Sequence, residues 1–445
     1  MSLMSTYKCW CCCLLLLIAV PVHGAPQPAG TALTLDEAVS TALVNNPAIL
    51  KAAASLASSR ETAKAVRAEN LPRLSASYAY THLEEEPYAV FNGNKVVVDA
   101  RDSFLWDIEV NQPLFTGFAL DARTKMAKLG VQIGKVGQQL AILDLTEQVR
   151  LAYYNIFRQK QLLHVAEEAV AQLAAHVEDA SHFYEQGLIP YNDLLKSKVA
   201  LSNAEQERLQ AGSDLEMAIA RLNTLLRLPL EQPTEIVDLT ASPGPLPDLA
   251  PVEREAQANR PEPRALQLAL EKSTQQVRLA KSAFYPKVDL EGRYARDGDD
   301  PAAANNDYAN DHNASIGVKA TWTFFEWGRT RSLVNSRRHE LDAMAAQLEQ
   351  TRDAIRLQVK RSWLRLKVAL ASIGTTEEAR SQAEENFRIT RLQYQKSLAT
   401  SSDVLDARTM LSQAEANASN AVYGSLSAAA QLDRAAGHGV KDLDP

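Results

Sequence analysis

Two periods of hydrophobic and polar residues divide this chain. Over residues 73–81 the pattern alternates, with Leu74, Ala76, Tyr78 and Tyr80 on one face and Ser75, Ser77, Ala79 and Thr81 on the other. Alternation returns with Phe104, Trp106, Ile108 and Val110 against Leu105, Asp107, Glu109 and Asn111. A period of two predicts strands with one apolar face. The polar stretch between them, 82–102 with Glu84-Glu85-Glu86 and Asn92-Gly93-Asn94, reads as a long loop. The same order recurs downstream. Val288, Leu290 and Tyr294 face away from Lys287, Asp289, Glu291 and Arg293. After an Asp/Asn-rich loop at 297–313, Ile316, Val318, Ala320, Trp322 and Phe324 oppose Ser315, Gly317, Lys319, Thr321 and Thr323.

The rest of the chain keeps a helical period. Thr34-Leu-Asp-Glu37 is a capping box, and it opens a helix expected to reach about Asn70, with Asn46-Pro47 near its start. Leu129, Ile133, Val136, Leu140 and Leu143 step by four and three, and Leu341, Met344, Leu348, Ile355, Val359, Leu366, Leu370 and Ile373 keep nearly the same rhythm. These are coiled-coil-like seams. No proline lies between Pro113 and Pro190, or between Pro301 and Pro445. A helix from Gly117 to Gln186 spans roughly 105 Å at 1.5 Å per residue. It is too long for a compact domain and must build a tube or a rod.

The chain is duplicated. Tyr184-Glu-Gln-Gly187-Leu188-Ile-Pro190-Tyr-Asn-Asp193-Leu194-Leu195 matches Tyr394-Gln-Lys-Ser397-Leu398-Ala-Thr400-Ser-Ser-Asp403-Val404-Leu405 at an offset of 210. The same offset relates Gln148-Val149-Arg150 to Gln358-Val359-Lys360, while Pro47 and Pro72 answer Pro261 and Pro286 at 214. Such a register must be read before any local motif. Both matched stretches break a helical pattern and end in Ser, Asn or Asp suited to capping a new helix. The organisation expected is a first repeat at 25–227 (hairpin 73–115, turn 187–192) and a second at 252–436 (hairpin 287–326, turn 397–402). Between them lies a proline-rich linker at 228–251 with a short strand at 234–238, and a disordered tail follows at 437–445.

Four strands of about ten residues match the length of a tilted transmembrane strand, apolar outside and polar inside. A soluble sheet with one wet face is the alternative for a single hairpin. Four strands cannot close a barrel, and an open edge in lipid leaves backbone groups unpaired. Periodicity therefore requires an oligomer and leaves its number open. Eight strands from two chains would have a lumen filled by side chains; twelve from three would leave a water-filled one.

Composition narrows the chemistry. The apolar run at 11–20, preceded by Lys8 and followed by Val22-His23-Gly24, reads as a secretory signal over 1–24. It contains all four cysteines, Cys9, Cys11, Cys12 and Cys13, so the mature chain has no disulfide and no thiolate chemistry. Its removal takes away Lys8 and no acid, moving the formal charge from −7 to −8. That balance argues against nucleic-acid binding. The histidines (His23, His82, His164, His176, His182, His312, His339 and His438) form no HExxH or triad-like set. Asp297-Gly-Asp299-Asp300 lacks the spacing and closing Glu of a calcium loop. No metal site, cofactor or enzymatic activity is expected.

Together these residues resemble the TolC family of outer-membrane efflux proteins. The resemblance rests on Leu35-Asp-Glu-Ala38 with Asn46-Pro47, on Leu71-Pro-Arg-Leu74 and its counterpart Tyr285-Pro-Lys-Val288, on Gln112-Pro-Leu-Phe115-x-Gly117, and on the doubled turn. It covers nearly the whole mature chain. It implies a trimer with a twelve-stranded outer-membrane β-barrel, four strands per protomer, continued by a long α-helical coiled-coil tunnel through the periplasm. It also implies a passive, gated exit duct that meets an inner-membrane pump or transporter through a periplasmic adaptor protein. The turns become the periplasmic mouth, with Asp403, Asp406, Tyr394 and Asp193 at the gate and Gly187, Leu188, Ser397 and Leu398 in the adaptor's docking grooves. Three copies of Asp403 and Asp406 would ring the entrance with up to six carboxylates; capping of its own helix is the other reading of Asp403. The family's arginine just after the glycine of the second turn is Ala399 here, and Ser397 stands in place of that glycine, so the family's closing link cannot be made in the usual way. A soluble periplasmic coiled-coil adaptor is the alternative architecture, but it has no need of two matched amphipathic hairpins.

Overall fold

The structure is a computed structural model that describes residues 32–237 and 244–438. The signal at 1–24, the end of the linker strand at Asp238 and the tail beyond His438 lie outside the described residues. The described chain is mostly helical, with a four-stranded antiparallel sheet at one end.

Thr34 caps α1 (Leu35–Asn45) through a complete capping box with Glu37. The helix expected to reach Asn70 stops at Asn46, and α2 (Pro47–Ala68) starts afresh. Pro47 has no N–H to donate and forces the residue before it out of helical geometry. Asn46 accordingly takes an extended backbone (φ −71°, ψ 130°). Its side chain accepts from the Ala48 N–H at 2.9 Å and donates to the Leu225 carbonyl at 2.9 Å, so the break is also tied to the far end of the first repeat.

The sheet runs β1–β4–β5–β6, from β1 (Arg73–His82), β4 (Asp102–Phe115), β5 (Lys287–Gly298) and β6 (His312–Thr321). Two corrections concern its ends. The stretch 82–102 is not all loop, because β2 (Tyr88–Phe91) and β3 (Asn94–Val97) pair across Asn92-Gly93, both at positive φ. The strand expected to continue to Phe324 ends at Thr321, leaving Trp322, Phe324, Phe325 and Trp327 exposed beyond it. The linker strand expected at 234–238 is a single parallel bridge between Leu33 and Ile236. The Tyr153 hydroxyl lies 2.9 and 3.0 Å from the carbonyls flanking that bridge.

Each hairpin passes into a long helix through two consecutive left-handed residues. Gly117 (φ 62°) and Phe118 (φ 70°) precede α3 (Ala119–Glu185), and Trp327 (φ 54°) and Gly328 (φ 80°) precede α7 (Arg329–Gln395). At Gly117 a Cβ would sit 2.5 Å from the Ser282 carbonyl, so the glycine is required by space as well as by φ. The two long helices have 67 residues each, about 100 Å at 1.5 Å per residue. Their returning partners, α4 (Tyr191–Leu226) and α8 (Ser401–Ala436), have 36 each. Shorter helices α5 (Leu249–Asn259) and α6 (Pro261–Lys281) complete the second repeat.

Two apolar cores follow from the duplication. Val149, Tyr153 and Ile156 of α3 pack with Leu222 and Leu226 of α4 and with Ala38 and Ala42 of α1. Ile355, Val359 and Leu366 of α7 pack with Leu432 and Ala435 of α8 and with Val252 and Ala256 of α5. Each fully buried aliphatic side chain contributes about 2 kcal/mol. Arg434, near the end of α8, clamps the first repeat to the second, with Asp144 of α3 at 2.6 Å and Glu262 of α6 at 3.2 Å. By contrast, α7 leaves Leu357, Leu364 and Val368 exposed. Among the described residues no helix is long and apolar enough to cross a membrane.

Candidate functional site

The sheet sorts its side chains across all four strands. The register aligns Leu74 with Val110 and Gly292, Ala76 with Ile108 and Tyr294, and Tyr78 with Trp106. It continues from Leu290 to Val318, Gly292 to Ile316 and Tyr294 to Ala314. Because side chains alternate with period two, these residues share one apolar face. Polar residues interrupt this face towards its ends, Gln112 at one and Arg296, His312, His82 and Asp102 at the other. The opposite face carries Ser77, Asp107, Glu109, Glu291, Arg293 and Lys319. There Ser77 donates to Asp107 at 2.7 Å, Arg293 stands 3.7 Å from Asp107, and Lys319 stands 3.5 Å from Glu291. Among the described residues, β1 and β6 each keep one edge without a partner strand.

At the far end of the long helices, the two turns share one geometry. The Gly187 N–H donates to the Tyr184 carbonyl and the Leu188 N–H to Phe183, at 2.9 and 2.8 Å. The Ser397 N–H donates to Tyr394 and the Leu398 N–H to Gln393, both at 2.8 Å. These are Schellman caps, in which a left-handed residue closes the helix by satisfying two of its last carbonyls. Gly187 (φ 73°) suits that role, whereas Ser397 (φ 59°) carries a Cβ into it. Leu188 and Leu398 project to solvent, 58% and 76% exposed.

The four gate candidates occupy different environments. Asp403 is the third residue of α8; its carboxylate accepts from the Thr400 N–H (2.8 Å) and hydroxyl (2.7 Å) in a capping box. Those bonds from Thr400 lower its pKa below the usual carboxylate range. Asp406 is exposed, one turn further on. Asp193 is half-buried and pairs with Lys196 at 3.3 Å. Tyr394 is buried, its ring 4.7 Å from His176 and 5.3 Å from Phe183. Its hydroxyl makes no hydrogen bond of good geometry, to Asp193 or to Ser401 beside it. Burial, with the charges of Asp179 and Asp193, raises its pKa. Ala399 joins the apolar cluster around Phe387, Tyr394 and Leu411.

Two groups here escape a reading by motif. His176 touches Ser401, which touches Ser197, each contact 2.8 Å and all three residues buried. Burial pulls the His176 pKa down to about 4, against the opposing charge of Asp179. Further along the bundle Arg408 is buried over the Phe387 ring, 3.3 Å from Glu415, with two of its nitrogens lacking partners. The one signal in the sequence was position: each is a polar residue on the buried stripe of its helix.

The described residues hold no group of His, Cys, Asp and Glu that could bind a metal.

Residues 38–226 and 252–438 match the family model described as outer membrane efflux protein. The chain is 25% identical to protein CyaE of Bordetella pertussis over 358 residues, 78% of this chain and 72% of that one. It is 23% identical to outer membrane protein TolC of Vibrio cholerae over 433 residues, 95% of each. Among solved structures, the Campylobacter jejuni CmeC outer membrane channel superposes with a TM-score of 0.78 at 15% identity, over 92% of this chain and 87% of that one.

Proposed function

The chain belongs to the outer membrane efflux protein family, and from that premise we infer that it is the outer-membrane exit duct of a tripartite efflux or secretion system. It is a pore protein rather than an enzyme. Three copies would join their four-stranded sheets, β1 of one against β6 of the next, into a twelve-stranded barrel. The single observation that carries this reading is the sorted sheet with two unpaired edges. Its apolar face suits lipid, its charged face suits water, and in hydrocarbon the free edges of β1 and β6 must find partners.

Below the barrel, the long helices would form a periplasmic tunnel about 100 Å long. The exposed Leu357, Leu364 and Val368 of α7 are suited to pack on a neighbouring protomer, as a seam of this kind does in a coiled coil. The paired turns would be the inlet, with Asp403 and Asp406 facing the opening and Tyr394 and Asp193 behind them. Leu188 and Leu398, raised on left-handed Gly187 and Ser397, are suited to dock a periplasmic adaptor. The adaptor in turn couples the duct to an inner-membrane transporter, which supplies the energy and selects the cargo. Recovery in the outer-membrane fraction, with heat-modifiable migration on a gel, tests this reading; recovery as a soluble periplasmic protein would refute it.

A further inference from the structure

Just inside the turns, one residue from each of the four long helices meets at a buried point: His176 of α3, Ser197 of α4, Tyr394 of α7 and Ser401 of α8. The order of donors can be traced. Ser197 Oγ donates to the Asp193 carbonyl at 3.1 Å, so it accepts from the Ser401 hydroxyl, 2.8 Å away. Ser401 Oγ has then spent its proton and accepts from His176 Nε2, also at 2.8 Å. A neutral imidazole has one N–H, which this relay fixes on Nε2. Nδ1 is left bare and buried, with no hydrogen-bond partner among the described residues.

We propose that this relay is a latch between the two hairpins at the mouth, closed only while the His176 imidazole is neutral, so that acid at the inlet releases it. A second proton must go to Nδ1. It would add a charge and an N–H donor inside the bundle, where no acceptor waits. The charges that act on the ring come from α3 and α7. Asp179 of α3, held by Gln395 at 3.2 Å, favours the charged ring, and Arg391 of α7 opposes it. Asp193 of α4 faces Tyr394, and the first acid of α8, Asp403, is held in its cap by Thr400. Burial outweighs Asp179 and brings the latched His176 to about 4. The latch stands near Ala399, which offers no polar group to close the mouth.

The sign follows from that depression. A released His176 titrates near 6.5, so the latch holds fully above about pH 6.5 and is lost as pH falls towards 4. The ratio of latched to released mouth falls by about thirtyfold per chain at pH 5.

The inference rests on reading the turns as the inlet, and its test separates the two. The full protein would be reconstituted in planar bilayers and acidified on the helical side. Open probability should rise at least tenfold between pH 7 and pH 5. His176→Gln, which can still donate to Ser401 but does not titrate, should remain closed and flat with pH. Ser197→Ala with Ser401→Ala should open already at pH 7. A His176→Gln protein that titrates like the parent overturns the latch and leaves the duct standing. Nuclear magnetic resonance of 15N-histidine protein needs no pore. It should find His176 neutral at pH 7 with its proton on Nε2, and taking its second proton only below pH 6.5 as the latch is lost; ordinary titration near 6.5, or a proton on Nδ1 at pH 7, also overturns the latch. Folded protein that forms no pore at any pH refutes the duct instead.

Discussion

Ser397 repeats, 210 residues later, the left-handed backbone of Gly187: φ is 59° at one and 73° at the other, and both close a helix of the same kind. Only one of the two has the residue that this conformation favours. A side chain held there costs about 1 kcal/mol relative to glycine. Ser397→Gly should therefore stabilise the second turn by about that amount, and Gly187→Ser should cost about as much in the first. Hydrogen exchange at the Leu188 and Leu398 amides reads each turn separately. Equal protection in parent and variants would show that the turns are not held by their caps.

The two carboxylates proposed for the inlet are not equivalent. Asp403→Ala removes a charge and also breaks the capping box with Thr400, whereas Asp406→Ala removes an exposed charge alone. In planar bilayers Asp406→Ala should weaken block by divalent cations and leave the melting temperature where it was. Asp403→Ala should weaken block and loosen the start of α8 as well. The Asp403 cap should hold above the ordinary carboxylate range and fail as pH falls through its own lower pKa. Unchanged block in both variants would remove these residues from the entrance.

Arg408 is a buried cation with an incomplete set of partners. Glu415 answers one nitrogen, while Nε and Nη1 make no hydrogen bond. Burial lowers the Arg408 pKa and raises that of Glu415, the penalty expected when both are taken out of water. Arg408→Ala should cost about 3 kcal/mol by leaving Glu415 without its cation. Arg408→Met combined with Glu415→Gln should stay within about 1 kcal/mol of the parent. Thermal denaturation followed by circular dichroism compares them. A double variant as unstable as Arg408→Ala would mean that the ion pair itself stabilises the bundle.

Much of the fold was legible because period and duplication survive in the residues themselves. The capping box at Thr34, the alternation around Tyr78 and Trp106, and the Tyr184 and Tyr394 turns all announce local geometry through local composition. The ribbon across Asn92-Gly93 could have been found too, since an Asn-Gly pair between Tyr88-Ala-Val-Phe91 and Lys95-Val-Val-Val98 is a strong hairpin signal. The acids of the preceding stretch masked it. The end of β6 at Thr321 was harder, because Trp322 and Phe324 continue the alternation beyond the paired backbone. The meeting of His176, Ser197 and Ser401 could not be read from spacing. Ser197 and Ser401 stand 204 apart, outside the 210 offset of the repeat, so only the packing of four helices brings them together.

The central claim is that neighbouring chains complete the wall that one chain leaves open, and cysteine cross-linking between β1 and β6 tests it most directly. Native cysteines are confined to positions 9–13, so Ser77→Cys can be paired with single cysteines placed in turn along residues 313–319 and oxidised in intact cells. At the correct register, denaturing gels should show a covalent species of three chains, formed only when both cysteines are present. A single chain at every register, or a series that stops at two chains, would contradict the account.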